Sequence, residues 1–273
     1  MTGTNKDEQI GCNILGIAGK KQSGKTTASN YLVGTYLVAM EVVKGGMFIN
    51  PKGELQVTDI LGNRDGHDVI LDLTRRDNVM LDFLDEYVNP YIKVYSFADP
   101  LKWLCMDIMG LTHKQCYGTN EEKDSPTKYA WQRMPGLTSD KTGQMTAREV
   151  MQYVGTDIFR KMGPNIWVNA TIRRIQLEQP MLAIIPDIRF PNEVKGVQKA
   201  GGKVIKLTRN PLGDSDQHFS ETALDNYEGF DAILDNKEDT INCQCEQLYK
   251  ILRPWGWLPE LKERQKPTKE TGK

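Results

Sequence analysis

The chain has no apolar run long enough to span a bilayer, and its N-terminus lacks a secretory-signal pattern. The expectation is a cytoplasmic protein with no membrane partner. It has no dominant charge either. A net charge of −1 argues against a dedicated nucleic-acid surface, although a local basic patch remains open. The cysteines, Cys12, Cys105, Cys116, Cys243 and Cys245, are odd in number and contain no C-x-x-C pair. That disfavours a zinc site or a disulfide framework and points to reduced thiols. Cys243-Gln244-Cys245 reads as helix surface and core. Histidine is scarce, with three in the chain.

What is present is enough chain for one large α/β domain with insertions or two small ones, since 273 residues can bury a sizeable core. A hydrophobic share of 39% and a charged share of 26% suit a globular protein. The most specific stretch is Gly19-Lys20-Lys21-Gln22-Ser23-Gly24-Lys25-Thr26, which has the spacing G-x-x-x-x-G-K-[ST]. It follows an apolar run, residues 13–18, and precedes a helix-like segment from Thr27. Glycines there let several backbone N–H groups point at one phosphate, and the helix N-terminus adds about half a positive charge. Gly19, Lys20, Gln22, Ser23, Gly24, Lys25, Thr26 and Thr27 are therefore the candidate triphosphate contacts. Lys25 would reach the outer phosphates, and the Thr26 hydroxyl would bind Mg²⁺.

Along the chain, apolar strands alternate with helical periodicity. Strands are expected at 13–18, 92–97, 181–187, 203–207 and 231–236. Helices are expected at about 24–40, 98–109, 146–162, 165–177, 191–200 and 240–252. Such alternation implies a five-stranded parallel sheet with helices on both faces. Residues 41–89 are irregular. Met47-Phe48-Ile49 and Leu55-Gln56-Val57 flank a glycine-containing turn and read as a β-hairpin. This insertion, bounded at 41–91, reads as a surface elaboration or a homodimer contact. A polar loop at 112–143 is long enough to suggest a functional role. Thr146-Ala147-Arg148-Glu149 is a capping box. The tail at 259–273 is charged and reads as disordered.

Ligands of such sheets lie at the C-terminal strand ends. The glycine loop, residues 96–99, Asp187, Arg209 and Asn236 all fall there. Asp187 closes the apolar run 181–186, the pattern that sets a carboxylate beside Mg²⁺ at a glycine loop. A phosphotransferase must also hold a second anion in line with the γ-phosphate, exclude water and neutralise the transferring phosphoryl. By position, Arg189 and Arg209 are the arginines best placed for this, with Lys25 as the third catalytic candidate. Arg148 and Arg160 flank the capping-box helix. His218 lies in a polar segment, 209–226, that reads as a lid.

Several of these segments occur in one order: residues 19–26, 96–102, Gln152-Tyr153-Val154-Gly155-Thr156-Asp157, Trp167-Val168, Asp187-Ile188-Arg189 with Asn192-Glu193, and His218 with Glu221. Together they resemble the deoxynucleoside monophosphate kinases of tailed bacteriophages, over about 13–255 apart from the insertion. The resemblance implies a P-loop, NMP-kinase-like domain over 12–258, with an acceptor-binding region at 98–180 and a lid at 209–226. It implies transfer of the γ-phosphate of ATP, with Mg²⁺, to a deoxynucleoside monophosphate, in the host cytoplasm if the gene is phage-encoded. The acceptor would lie among Ala98, Asp99, Lys102, Arg148, Gln152, Thr156, Asp157, Arg160 and Trp167, with His218 closing from the lid. Asn236 would contact adenine. Other readings stay open on the residues alone: a related small-molecule kinase of the dephospho-coenzyme-A or nucleoside type, or an ATP-binding module without transferase activity.

Overall fold

The computed structural model describes residues 12–62, 67–75, 77–136, 141–211, 213 and 222–260. β1 (Asn13–Ala18) runs through the glycine loop into α1 (Lys25–Ala39). Three strands follow, β2 (Val43–Ile49), β3 (Leu55–Ile60) and β4 (Asp68–Ile70). Then come α2 (Asn78–Phe83), a π-helical turn (Leu84–Val88) and β5 (Ile92–Val94). The middle of the chain holds α3 (Asp99–Asp107), α4 (His113–Tyr117), α5 (Asn120–Lys123), β6 (Pro126–Ala130) and β7 (Gln144–Thr146). After these lie α6 (Ala147–Gln152), a π-helix (Tyr153–Arg160) and α7 (Ile166–Glu178). The last part is β8 (Leu182–Ile188), α8 (Pro191–Lys199), β9 (Lys203–Leu207), β10 (Ala232–Leu234) and α9 (Ile241–Leu252).

The main sheet has five strands in the order β10-β9-β1-β8-β5, and every pair in it is parallel. Strands of this kind are buried on both faces, so alternate residues feed two cores. Leu15 and Ile17 of β1 join Leu182 and Ile184 in a core with Leu32 of α1 and Leu248 of α9. Ile14 and Ala18 join Ala183 and Ile185 against Val168 and Ile175 of α7 and Val194 of α8. Helices thus cover both faces, as expected from the alternation. β1 lies at the centre, with β8 and β9 on either side. The crevice at the C-terminal end of β1 is where such sheets bind ligands.

Several expectations need correction. The hairpin of the insertion pairs with a further short strand, β4, and packs against the main body. Leu55 and Val57 enter the same core as α1, and a side chain at Gly34 of α1 would meet Leu55 at 2.7 Å. The 112–143 stretch has its own structure. Thr112 and Thr119 open α4 and α5 with reciprocal capping boxes to Gln115 and Glu122, and β6 pairs with β7. Those helices are too short to show periodicity, which is why the segment resembles a loop. The helix expected over 146–162 leaves α-helical geometry after Gln152, ahead of Gly155-Thr156-Asp157. The chain continues there as the π-helix. β5 ends at Val94, because Tyr95 makes the last backbone bond to β8 and Ser96 turns away. A third hydrophobic cluster, with Cys105, Trp131, Met145, Val150 and Val154 at its centre, gives the 98–160 part its own core. Among the described residues no helix is long and apolar enough to cross a membrane. The lid expectation is described only at 209–211, 213 and 222–226. His218 lies outside the described residues, as does the tail beyond Glu260.

Candidate active site

The glycine loop joins β1 to α1 as the spacing predicts. Gly24 has φ 98°, and a Cβ there would meet the Gln244 side chain at 2.5 Å, so this turn requires glycine. Lys25 folds back across the loop, its ammonium donating to Gly19 O at 2.7 Å and Lys20 O at 2.6 Å. Thr26 stays exposed at the start of α1. Ser23 is buried, with its hydroxyl lacking a hydrogen-bond partner among the described residues.

Asn236 does not fit the adenine contact expected of it. It is 1% exposed. Its amide donates to Ser23 O at 2.8 Å and Gln244 Oε1 at 2.9 Å, and its oxygen accepts from Arg209 N at 2.9 Å. Gln244 in turn donates to Gly24 O at 3.0 Å. Asn236 is thus a strut behind the loop, joining it to β10 and α9. Gln244, read from sequence as part of an ordinary helix, is the other half of the strut. A polar residue between two cysteines gave no hint of this.

Asp187 sits near the end of β8, with its carboxyl buried. Ser96 Oγ donates to Oδ2 at 2.5 Å, while Oδ1 has no partner among the described residues. Burial raises its pKa, opposed by the bonds from Ser96 and the Phe97 N–H. The chemistry of two of these groups fits Mg²⁺, a hard cation that takes oxygen ligands: the Asp187 oxygen without a hydrogen bond among the described residues, and the Thr26 hydroxyl at the loop.

Two clefts open at this sheet edge. One, of about 370 Å³, is lined by Ala98, Lys102, Arg148, Gln152, Thr156, Arg160 and Trp167, all expected from sequence, together with Asp187 and Arg189. Its walls are set by a close approach of helices. A Cβ on Gly155 would meet Leu101 of α3 at 2.6 Å. The Gly155 carbonyl accepts the Trp167 indole N–H at 3.1 Å. Lys102 makes no ion pair among the described residues. Its ammonium lies 4.1 Å from the centre of the Tyr117 ring, and burial lowers its pKa. Arg148 is held by Asp124 at 2.6 Å and Asn120 at 3.0 Å.

The other cleft, of about 410 Å³, is lined by Gly19, Lys20, Arg189, Lys206, Asp225 and Lys237 among others. Four cations against one carboxylate suit a polyphosphate. Lys20 pairs with Asp225 at 2.6 Å, and Lys206 donates to Leu224 O at 3.0 Å. Lys206 was legible only as a polar residue in a strand. Arg189 lines both clefts.

Ten of the predicted contacts line neither cleft: Gln22, Ser23, Gly24, Lys25, Thr26 and Thr27 of the loop and first helical turn, and Asp99, Asp157, Arg209 and Asn236. Asp99 accepts from the Tyr117 hydroxyl at 3.0 Å at the start of α3. Asp157 is exposed and pairs with Lys161, one helical turn on, at 3.3 Å. Arg209 contributes its backbone N–H to Asn236 and lines neither cleft. Gln22 is exposed with φ 60°. Thr27 packs under the insertion, where a Cβ on Gly53 would meet its hydroxyl at 2.4 Å.

Residues 93–247 match a family model described as deoxynucleotide monophosphate kinase. That match holds every residue that lines the first cleft, Asp187 and Arg189 included, while the glycine loop lies before it. A protein of Acanthamoeba polyphaga mimivirus, provisionally named a deoxynucleotide monophosphate kinase, is 32% identical over 155 residues, covering 52% of this chain and 74% of its own. With more than half of its length matching that model, the chain belongs to the deoxynucleotide monophosphate kinase family, whose reaction is phosphoryl transfer to a deoxynucleoside monophosphate.

Proposed function

We propose that ATP is the donor, with its phosphates on the loop of residues 19–26, and that the acceptor monophosphate enters the cleft between α3 and the π-helix. The observation that carries this reading is Arg189, which stands on the partition between the two clefts. A guanidinium there can touch the γ-phosphoryl and the acceptor phosphate together, and lower the charge repulsion as they approach. Lys25 would leave its carbonyl partners to follow the transferring charge. Asp187 and Thr26 would hold Mg²⁺, which neutralises donor phosphate charge when bound. The acceptor phosphate is already ionised, so no general base is required. Lys102 and Arg160 would bind it, with Arg148, Gln152, Thr156 and Trp167 completing the pocket.

In this reading the kinase domain runs over 12–258, the acceptor region over 98–180 and the lid over 209–226, with His218 in the lid. The separate core of the 98–160 part supports a wing that can move against the sheet. The enzyme would act on free nucleotides in the cytoplasm. A coupled ADP-release assay over the deoxynucleoside monophosphates tests the assignment. Turnover should be near silent without acceptor and rise when one is added, because closure completes the site. ATP hydrolysis at the same rate with and without acceptor would overturn it.

A further inference from the structure

The Arg189–Phe190 corner precedes α8, where a helix exposes backbone N–H groups without intrahelical partners. Phe190 has no side-chain acceptor, so the N-cap position cannot serve them. Glu193, in the first turn, does so instead. Its Oε2 accepts from Arg189 N at 2.8 Å and Phe190 N at 3.1 Å. Its other oxygen faces Arg160 of the π-helix at 3.7 Å. The Arg160 guanidinium also lies over the Phe190 ring, 5.0 Å from its centre. One carboxylate therefore ties together the end of β8, the start of α8 and the acceptor wall.

Glu149 makes a comparable reciprocal cap at α6 and Glu122 at α5, but the Glu122 side chain is 34% exposed and that of Glu193 is 6%. A helix cap is worth about 1 kcal/mol. Burying a carboxylate costs several kcal/mol before its partners offset it. Burial also raises the Glu193 pKa to about 7, so the cost is felt. A capping role alone does not account for placing this carboxylate in the cleft.

We propose that Glu193 is a positioning residue for the transfer step: it fixes the Arg189 backbone on the partition between the clefts and, through Arg160, ties the acceptor wall to the same point. This rests on Arg189 serving the transfer, as read above.

The test is a double-mutant cycle of Glu193→Gln and Arg189→Ala, with kcat, both KM values and a thermal melt for each protein. Glu193→Gln alone should lower kcat by about 10–100-fold, the scale of a small misplacement of a reacting group. KM for ATP should stay within about twofold, because donor binding is untouched. On the Arg189→Ala background the same substitution should cost almost nothing more in kcat, since the group it positions is gone. Losses that multiply in full, or a kcat unchanged by Glu193→Gln, would overturn the proposal. If Arg189→Ala by itself leaves kcat unchanged, it is the role of Arg189 that fails, and Glu193 loses its target with it. Should Glu193→Gln melt without cooperativity, Glu193→Asp takes its place under the same criteria. It keeps the charge but is one methylene too short to reach both amides.

Discussion

Ser96 Oγ donates a 2.5 Å hydrogen bond to Asp187 Oδ2 and leaves Oδ1 buried, with no partner among the described residues. The Ala98 N–H donates to the same hydroxyl at 3.1 Å and fixes its rotor. The carboxylate is thus aimed by a residue from the neighbouring strand end. Ser96→Ala should raise the Mg²⁺ concentration for half-maximal activity by about tenfold, the lower end for loss of a group that orients a metal ligand. A Mg²⁺ titration at saturating nucleotides measures it, and direct binding of Mn²⁺ followed by electron paramagnetic resonance checks it without turnover.

Lys25→Ala should lower kcat by about a thousand-fold or more with an unchanged melting temperature, since it removes a charge aimed at the transferring phosphoryl. Near-normal turnover in the variant would show that the loop is not the donor site.

Lys102 keeps a half-buried ammonium over Tyr117 with no ion pair among the described residues. Lys102→Met preserves most of the stem and removes the charge. KM for the monophosphate should rise by about tenfold or more while KM for ATP stays put, because a charge-assisted hydrogen bond is worth about 1.5–3 kcal/mol. Equal changes in both constants would remove Lys102 from the acceptor site.

Asn236→Ala separates a strut from an adenine contact. It would leave Ser23 O, Gln244 Oε1 and Arg209 N short of partners. Stability should fall by about 2–3 kcal/mol, since orphaned buried groups cost about 1–3 kcal/mol each and some can relax. Urea melts measure this. An adenine contact would instead raise KM for ATP with stability intact.

Glu193 makes stability depend on pH in a stated direction. Its folded pKa of about 7 lies above the ordinary 4.5. The native state therefore holds the proton more tightly than the unfolded chain. The associated stability is complete below about pH 4.5 and is lost as pH rises through about 7. Asp187 is shifted the same way by burial, so the comparison must isolate Glu193. Between pH 4.5 and 8 the wild type should lose stability relative to Glu193→Gln, on the order of 3 kcal/mol at most. Denaturant melts at the two pH values check it, and parallel pH profiles for both proteins would contradict it.

The legible parts of the site were those carried by local chemistry. Residues 19–26 need glycines, a lysine and a threonine at set spacing, and the loop forms between strand and helix as that spacing requires. Ala98, Lys102, Gln152, Thr156, Arg160 and Trp167 follow from the family resemblance, and one cleft gathers them. Asp99 and Asp157 line neither cleft, because a helix places neighbouring residues on different faces. Asp157 follows Thr156 in the chain but points to Lys161 rather than to the cleft. The inward turn of Asn236 was not legible, because position at a strand end says nothing about which way an amide points.

By itself the sequence determined the alternation of strands and helices, the parallel sheet that follows from it, the triphosphate loop and the capped start of α6. Each depends on residues close in the chain, where period, turn chemistry and capping act without help from elsewhere. Only the tertiary structure decided that Gln244 braces the loop through Asn236, that Ser96 aims Asp187, that the insertion shares the core of α1, and that Arg189 faces both clefts with Glu193 behind it. Apart from the Arg189–Glu193 bond, which spans four residues, those are contacts between segments far apart in sequence. They depend on strand order and on burial, and neither is written in local spacing.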